Sequence, residues 1–314
     1  MTVDIIIPTY KPDETLCLLL HKLQGQTFVV HRVIILNTEE KLWKQAAAAY
    51  PIEQVLKELP CEYEVFHIAK KDFDHGGTRN MGASISKADI VLYITQDAMP
   101  ADEHLIEEFI KVFEAHSDIG VAYGRQLPKN DCNIIERFTR RFNYPEKSRI
   151  KSKSDLNELG IKTFFCSDVC AAYRRNYLLG AGGFEDPTIF NEDMIFAGKR
   201  ILAGDKVAYV AEAKVLHSHN YTGRQQFHRN FDLAVSQAQY PEVFEGVPSE
   251  GEGIRMVKAT ARYLIRNEQP LKVIILMYQS GCKYIGYFLG KRYKKLPMRI
   301  VMKCTSNPNY WKKS

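Results

Sequence analysis

The sequence lacks the features of a secreted or membrane-spanning protein. Its N-terminus runs from Met1 to Asp4 directly into an apolar stretch, without the basic, apolar and small-residue regions of a signal peptide. The longest continuous apolar run near the C-terminus, Val273 to Met277, is far shorter than the ~20 residues that cross a bilayer, and Lys283 interrupts its continuation. We therefore expect a protein that is neither secreted nor threaded through a membrane.

Two common kinds of binding motif are also missing. The seven cysteines are scattered along the chain, and none has the paired CxxC spacing of a zinc site. Reduced thiols in the cytosol fit this odd-numbered set best. The glycine-rich segment from Asp74 to Gly82 has neither the GxGxxG nor the GxxxxGK(S/T) pattern, which argues against a Rossmann dinucleotide site and a P-loop.

Negative charge is scarce near the C-terminus. From Arg255 to Ser314 the chain has fourteen Lys and Arg residues and one acid, Glu268, whereas the preceding residues have 29 basic and 36 acidic side chains. Such asymmetry favours an anionic partner, either membrane or nucleic acid. Aromatic residues beside lysines suit the bilayer interface, and no known RNA- or DNA-binding module is present. We predict that this region binds an anionic membrane surface and no nucleic acid. Alternatively, its first part, a predicted helical segment with Leu264 and Ile265, could pack on the rest of the protein.

Short apolar runs alternate with helical patterns over the first 127 residues. This alternation predicts a doubly wound α/β fold with a mainly parallel central sheet, because continuous apolar strands are typical of sheets covered on both faces. The predicted strands are 3–7, 33–36, 64–68, 90–95 and 121–124, and the predicted helices include 43–59, 78–86 and 105–115.

The second half of the chain has a weaker pattern. Residues 128–162 are polar and charged, without a sustained strand signal, and we interpret them as a mobile excursion. Further strands are predicted at 164–173, 206–210 and 214–217, with a helix at 194–202. From residue 231 onward the chain is predicted to be mainly helical, with a linker at 241–253.

Two aspartates mark the predicted site. Asp97 ends the apolar run that begins at Ile90, and Asp193 precedes a helical stretch. Ligands of open α/β sheets bind at the carboxyl edge of the strands. Two other strands end in polar clusters that could hydrogen-bond a base and ribose, although loops after strands are commonly polar: Pro8, Thr9 and Tyr10, and then Asn37, Thr38 and Glu39.

The segment Asp74 to Gly82 offers paired glycines before a predicted helix. Its backbone amides could bind an anion, and Arg79 could pair with phosphate oxygens, with Asp74 and Asn80 beside it. The alternative is a glycine turn that leads into a surface helix.

Five short motifs occur in a characteristic order over about residues 1 to 232. They are Ile5-Ile6-Ile7-Pro8-Thr9-Tyr10, Phe73-Asp74-His75-Gly76-Gly77-Thr78-Arg79-Asn80, Thr95-Gln96-Asp97-Ala98, Asn191-Glu192-Asp193 and His217-Ser218-His219. In this combination the chain resembles the family 2 glycosyltransferases with the GT-A fold, and in particular their bacterial rhamnosyltransferase branch. The resemblance implies a catalytic domain over 1–232, a nucleotide-sugar donor, a divalent metal and inversion at the anomeric carbon. Residues 233–314 would then form a helical, basic, membrane-associating region.

The sequence departs from the family's Asp-x-Asp triplet, since Thr95-Gln96-Asp97 keeps only the last carboxylate. A hard cation can also use diphosphate oxygens and water, so Asp97 with one histidine is a sufficient protein ligand set, more so for Mn²⁺ than for Mg²⁺. His217 or His219 would supply that histidine, unless the two are an ordinary strand-end pair. Gln96 joins the predicted donor-binding residues.

An inverting transfer needs a base on the acceptor hydroxyl, and the resemblance places Asp193 in that role, with Glu192 as its rival. The alternative is that both acids only supply negative charge to the start of a helix. Arg224 and Arg229 follow the histidines and could clamp the diphosphate, or they could be surface charges.

The resemblance implies transfer of L-rhamnose from dTDP-β-L-rhamnose to a hydroxyl of a lipid-linked saccharide in bacterial surface polysaccharide synthesis. The enzyme would be cytoplasmic and attached to the inner face of the cell membrane. Two alternatives remain open: the same fold with a UDP-hexose or UDP-galactofuranose donor, and a catalytically silent scaffold tethered to membrane. The oligomeric state is not predictable from these residues.

Overall fold

The computed structural model describes residues 1–247 and 250–313, which form one mixed sheet of nine strands with helices around it. The strands are β1 (Val3–Tyr10), β2 (Arg32–Thr38), β3 (Glu62–Ile68), β4 (Ile90–Ile94), β5 (Met99–Pro100), β6 (Ile119–Leu127), β7 (Arg149–Lys151), β8 (Cys170–Arg174) and β9 (Lys206–Leu216). The helices are α1 (Glu14–Gln24), α2 (Glu40–Ala49), α3 (Ile52–Lys57), α4 (His75–Ile85), α5 (Leu105–Ala115), α6 (Ile134–Asn143), α7 (Leu156–Leu159), α8 (Arg175–Gly180), α9 (Glu192–Leu202), α10 (Gly223–Gln239), α11 (Pro241–Phe244), α12 (Glu250–Arg266), α13 (Lys272–Gly290), α14 (Met298–Cys304) and α15 (Tyr310–Lys313).

The strand order is β3-β2-β1-β4-β8-β6-β9-β5, with β7 beside β9. Strands β1 to β4 pair in parallel, as do β6 and β9, whereas β8 runs antiparallel to both β4 and β6. Most of the paired residues are therefore in parallel ladders, and the predicted α/β class with a mostly parallel sheet is confirmed.

Both faces of the sheet are buried. Ile5 and Ile7 of β1 belong to an apolar cluster that includes helices α1, α3 and α5, while Ile6 belongs to a second cluster that includes α4 and α9. Successive strand residues point to opposite faces, so an uninterrupted apolar strand needs cover on each side. This is why the strands could be recognised as continuous apolar runs.

Several predicted elements differ from the observed ones. The helix predicted at 43–59 is broken between α2 and α3, because Pro51 has no N–H for helix continuation and holds Tyr50 in an extended conformation. The strand predicted at 164–173 begins only at Cys170, and the strands predicted at 206–210 and 214–217 are a single strand, β9. Residues 128–162, where no strand was predicted, contain α6, β7, α7 and two short 3₁₀ turns.

The C-terminal helices pack on one another and on the sheet domain, through contacts of α12 with α6 and through the close approach of α13 to α10. Gly286 and Gly290 of α13 make this approach possible, because an added Cβ would lie 2.2 Å from the Phe227 oxygen and 2.3 Å from the Phe231 oxygen. The boundary predicted at residue 232 lies inside α10, which is continuous there. The predicted linker at 241–253 begins with α11, and its residues 248 and 249 lie outside the described residues.

None of the helices within residues 1–247 and 250–313 combines the length and apolarity that a membrane span requires.

Candidate active site

The predicted base- and ribose-binding residues lie at the carboxyl edge of the sheet. Thr9 pairs with Asn37 in the parallel register of β1 and β2, and its hydroxyl donates to Asn37 Oδ1 at 3.2 Å. The main-chain N–H of Tyr10 donates to Gln96 Oε1 at 3.0 Å, which joins the end of β1 to the residues after β4. Pro8 precedes Thr9 in the same strand, so these sequence-predicted residues do come together.

Asn37 and Glu39 are held by contacts within the protein. The Asn37 side-chain amide nitrogen lies 3.0 Å from His67 Nδ1 and donates to the main-chain oxygen of Glu39 at 3.2 Å. The Glu39 carboxylate accepts from the main-chain N–H of Lys70. Tyr10, by contrast, is 42% exposed, with the Lys11 and Lys70 ammonium groups 5.5 and 5.6 Å from its ring centroid. Tyr10 therefore offers the accessible aromatic ring at this edge.

Asp97, His217 and His219 form one group, the metal cluster. One potential ligand atom from each lies within 4.8 Å of the others. Asp97 Oδ2 is 3.4 Å from His217 Nε2 and 3.3 Å from His219 Nε2. The two histidines follow β9 and Asp97 follows β4, so distant parts of the sequence supply a carboxylate and two imidazoles, a donor set suited to Mn²⁺.

The surroundings of His217 fix which nitrogen can bind a cation. Gln126 Oε1 lies 2.9 Å from His217 Nδ1 and also accepts from the Arg140 guanidinium. Because that oxygen is an acceptor, the His217 Nδ1 carries the proton and Nε2 presents a lone pair toward Asp97. A hydrogen-bonded partner of this kind orients metal-binding histidines in general. The metal cluster thus fits a divalent cation.

The protonation states also suit a cation. Burial lowers the pKa of His217, and burial together with His217 lowers the pKa of His219 to about 4, so both rings are neutral at pH 7. Burial alone would raise the pKa of Asp97, but hydrogen bonding with His217 and the positive charge that both imidazoles carry at low pH outweigh it and lower the pKa. The cluster is therefore one anionic and two neutral ligands.

Asp193 and Glu192 occupy the first turn of α9 in different environments. Glu192 is buried and pairs with Arg79 at 3.0 Å. Asp193 is more exposed, and its two carboxylate oxygens accept from the N–H groups of Asp168 at 2.9 Å and Met194 at 2.7 Å. Of the two acids, Asp193 is therefore the more accessible, and Glu192 is paired with the Arg79 guanidinium.

The pKa values of the two acids move in opposite directions. Burial, followed by the charge of Glu192, raises the pKa of Asp193 to about 7. Burial also opposes ionisation of Glu192, but the charge of Arg79, together with His75 and a main-chain hydrogen bond, outweighs it and lowers the pKa. A base works best when its pKa is near the working pH, which favours Asp193 over Glu192.

Arg79, which was predicted to pair with phosphate oxygens, is buried among acidic side chains. It is 6% exposed and lies between two carboxylates, with Nε 3.0 Å from Asp168 Oδ2 and Nη1 3.0 Å from Glu192 Oε1. A guanidinium engaged in this way has no free face for a diphosphate. We call Asp193, Glu192, Arg79 and Asp168 the base cluster.

The rest of the glycine-rich segment is likewise used inside the protein. Asp74 caps α4 by accepting from Gly76 and Gly77 at 2.9 and 3.0 Å, so those amides are not open to an anion. Asn80 exchanges two hydrogen bonds with the Phe184 backbone, both at 2.8 Å. This segment therefore supports the base cluster, and we do not assign Asp74, Asn80 or Arg79 to the donor.

Arg229 lies near both clusters, and Arg224 does not. The Arg229 guanidinium stacks 4.7 Å from the Tyr221 ring centroid and 5.2 Å from that of Phe190. Its charge is among the lesser causes, after burial, that lower the pKa of His75 and of His219, and among the described residues it has no carboxylate partner within 4.0 Å. Arg224 is exposed and contacts His228 on the same helix.

Two residues that sequence reasoning missed join the clusters. Gln126, whose Oε1 orients His217, donates through Nε2 to Ser167 Oγ at 2.9 Å, and the next residue, Asp168, donates its N–H to Asp193. The metal cluster and the base cluster are therefore connected through residues 167 and 168. Gln126 could have been noticed at the carboxyl end of a strand, but Asp168 lies within an apolar run that gave no signal.

Known proteins were compared with this chain. Residues 4–179 match the family described as Glycosyl transferase family 2. The chain is 39% identical over 317 residues to the O-antigen chain rhamnosyltransferase RfbN of Salmonella typhimurium, covering 99% of this chain and 96% of that protein. It is 41% identical over 248 residues to the O-antigen chain rhamnosyltransferase WbaN of Salmonella anatum, covering 78% of each.

Solved structures show the same fold at low sequence identity. The S. aureus protein TarS, residues 1–349, has a TM-score of 0.52 at 14% identity, over 94% of this chain and 91% of that one. The mannosyltransferase PcManGT from Pyrobaculum calidifontis, solved with GDP-Man and Mn²⁺, has a TM-score of 0.53 at 13% identity, over 96% and 78%. Together with the family match over more than half of its length, these findings establish that this chain belongs to glycosyl transferase family 2.

Proposed function

We propose that the protein is an inverting rhamnosyltransferase that moves L-rhamnose from dTDP-β-L-rhamnose to a hydroxyl of a growing surface polysaccharide. The observation that carries this proposal is the pairing, through residues 167 and 168, of a metal-type cluster with an aspartate whose pKa is near neutrality. The names of the two Salmonella relatives, both O-antigen chain rhamnosyltransferases, support the sugar and the polymer class.

Asp193 would act as the base. The acceptor oxygen attacks the anomeric carbon, its proton passes to Asp193, and the bond from that carbon to the diphosphate breaks with its electron pair remaining on dTDP. Attack from the side opposite the leaving group inverts the anomeric centre, so a β-donor gives an α-linkage. The hydrogen bonds from Asp168 and Met194 hold the carboxylate for this transfer.

Asp97, His217 and His219 would hold Mn²⁺ or Mg²⁺ on the donor diphosphate. When bound, a divalent cation supplies positive charge that stabilises the departing diphosphate. Arg229 lies beside His219 without a carboxylate partner among the described residues, which supports a role in clamping the same group. The exposed ring of Tyr10, whose main chain is bonded to Gln96 beside Asp97, supports stacking of the nucleotide base at the end of β1.

A transfer assay tests the proposal directly. Purified protein is incubated with dTDP-rhamnose, Mn²⁺ or Mg²⁺, and a membrane extract that contains the saccharide acceptor, and rhamnose incorporation is measured. We expect incorporation that depends on the cation. A thermal-shift comparison of dTDP with UDP identifies the nucleotide, and a larger stabilisation by UDP would overturn the rhamnose assignment in favour of a UDP-sugar donor.

The proposed acceptor is lipid-linked, and helix α13 supports attachment to a membrane surface. Exposed apolar and aromatic side chains recur along one side of this helix; they are Ile274, Ile275, Met277, Tyr278, Tyr284, Ile285 and Phe288, with exposures of 42–69%, and the preceding residue, Leu271, is 78% exposed. Lys283 is the only charge between Val273 and Gly290. A continuous exposed apolar side of a helix marks an interaction site for a protein or a membrane.

Positive charge follows this face immediately. Lys291, Arg292, Lys294 and Lys295 form no ion pair with a carboxylate in the part of the chain that the structure describes. Four unneutralised cations beside an apolar face match the chemistry of an anionic bilayer, with negative headgroups above acyl chains. We propose peripheral attachment to the inner face of the cell membrane through α13.

Vesicle flotation tests this attachment. Wild-type protein should float with vesicles that contain phosphatidylglycerol and less well with neutral phosphatidylcholine vesicles. The double change Ile274→Gln and Ile285→Gln should reduce flotation, whereas Val29→Gln, at a residue that is 80% exposed elsewhere, should not. Wild-type protein that floats with neither vesicle type would refute the proposed membrane surface.

A further inference from the structure

Asp168 is buried beside the proposed base, and transfer as described above uses only its main-chain N–H. The residue is 1% exposed. Its Oδ1 accepts a hydrogen bond of 2.6 Å from the Tyr173 hydroxyl, and its Oδ2 lies 3.0 Å from Arg79 Nε. A carboxylate this deep, contacted on both oxygens, cannot meet substrate, so any effect on transfer must pass through its neighbours.

Those neighbours lead to Asp193 by two routes. The main-chain N–H of Asp168 donates to Asp193 Oδ2 at 2.9 Å. The Asp168 side chain contacts Arg79, which pairs with Glu192 at 3.0 Å, the residue that precedes Asp193 on α9. A shift of Asp168 would therefore move the donor to Asp193 and the cation beside Glu192 together.

Stability alone does not account for this arrangement. Taking charges out of water is costly, and replacing buried ion pairs with apolar residues is often neutral or stabilising. Burial raises the pKa of Asp168 well above its usual range; Arg79 opposes this shift only in part, and the charges of Asp193 and Glu192 add to it. The base cluster thus keeps three acids around one arginine at an energetic cost, which points to a functional reason.

We propose that Asp168 is a positioning residue for the transfer step. By holding Arg79 and the main chain at residue 168, it keeps Arg79 paired with Glu192 rather than with Asp193, and it orients the Asp193 carboxylate toward the acceptor through the hydrogen bond from residue 168. The inference rests on the proposed role of Asp193 as the base.

The test uses Asp168→Asn, the milder Tyr173→Phe and a matched control. Tyr177→Phe is the control, since the Tyr177 hydroxyl donates to Asp205 at the same distance, 2.6 Å, outside the two clusters. We expect Asp168→Asn to lower kcat about 10- to 100-fold while the donor KM stays within about twofold, because misplacing a reacting group slows the reaction without weakening donor binding. Tyr173→Phe should lower kcat less, and Tyr177→Phe should leave it unchanged.

Combination with Asp193→Asn separates positioning from general support of the fold. If Asp168 acts through Asp193, Asp168→Asn should not further reduce the residual rate of the Asp193→Asn protein. A further reduction in that background, or kcat values for both Asp168→Asn and Tyr173→Phe that equal the control, would overturn the inference. Should Asp168→Asn fail to fold, Tyr173→Phe decides alone. Wild-type turnover by Asp193→Asn would instead refute the proposed base.

Discussion

The metal cluster and the base cluster each present an aspartate, in opposite electrostatic surroundings. Asp97 lies between two imidazoles, which outweigh the effect of burial and lower its pKa. Burial, and then the charge of Glu192 on the same helical turn, raise the pKa of Asp193 to about 7. A metal ligand has to stay ionised, and a base has to gain and lose a proton near the working pH. The difference shows that their surroundings, rather than residue type, suit the two aspartates to the two proposed roles.

Of the changes that test this comparison, removal of the proposed base should reduce turnover the most. Asp193→Asn keeps the shape of the side chain but cannot accept the acceptor proton, so turnover should fall about 10²- to 10⁴-fold. Binding of dTDP, measured by thermal shift, should stay close to that of wild type. Asp118→Asn, at an exposed aspartate paired with Lys206, is the control. Near-normal turnover by Asp193→Asn would exclude the base role.

Removal of the anionic metal ligand should come next. Asp97→Asn eliminates the only carboxylate of the metal cluster, and turnover should fall about 100-fold, or about 2.7 kcal/mol. Unlike Asp193→Asn, this variant should also lose the stabilisation that Mn²⁺ adds to dTDP binding. Thermal shifts with dTDP, with and without Mn²⁺, measure the difference, and equal responses of the two variants would contradict the separation of roles.

A smaller effect is expected from the residue that orients His217. Gln126→Leu removes the acceptor at His217 Nδ1, and partners of this kind change metal affinity by about 10- to 100-fold. Titration of activity with Mn²⁺ should therefore require a higher concentration, and saturating Mn²⁺ should restore most of the turnover. A loss that Mn²⁺ does not restore would place Gln126 in the base cluster instead.

The smallest effect concerns stability. The pKa of Asp193 is raised from about 4 in the unfolded chain to about 7 in the folded protein, so the folded state binds more protons between these values. This group therefore reduces the free energy of unfolding as the pH rises from about 4 to about 7. Asp193→Asn removes this pH-dependent loss of stability. The melting temperature of the variant minus that of wild type should therefore be larger at pH 8 than at pH 4. A constant difference would argue against the raised pKa.

The sequence predicted what depends on local patterns. Strands β1, β2 and β4 were recognisable from continuous apolar runs, and Asp97 from its place after one of them. The antiparallel insertion of β8 between β4 and β6 was not predictable, because strand order depends on contacts between distant segments.

The site residues at strand ends were predictable from the sequence. The residues whose environment depends on burial by distant segments were less so. His217 and His219 were expected near Asp97, and the structure places them there. Arg79 was expected to face phosphate because arginine after paired glycines suits an anion, but its partners, Asp168 and Glu192, lie far along the chain. Nothing local reveals that a charged side chain is enclosed.

The glycine contact between α10 and α13 has a consequence for orientation. Arg229 lies on α10, between Phe227 and Phe231, whose main-chain oxygens approach Gly286 and Gly290. The arginine beside the metal cluster and the apolar face of α13 are thus parts of one rigid unit. A protein resting on a bilayer through α13 would hold Arg229 at a fixed height above the lipid, and a larger residue at position 286 would change that height while leaving the sheet intact.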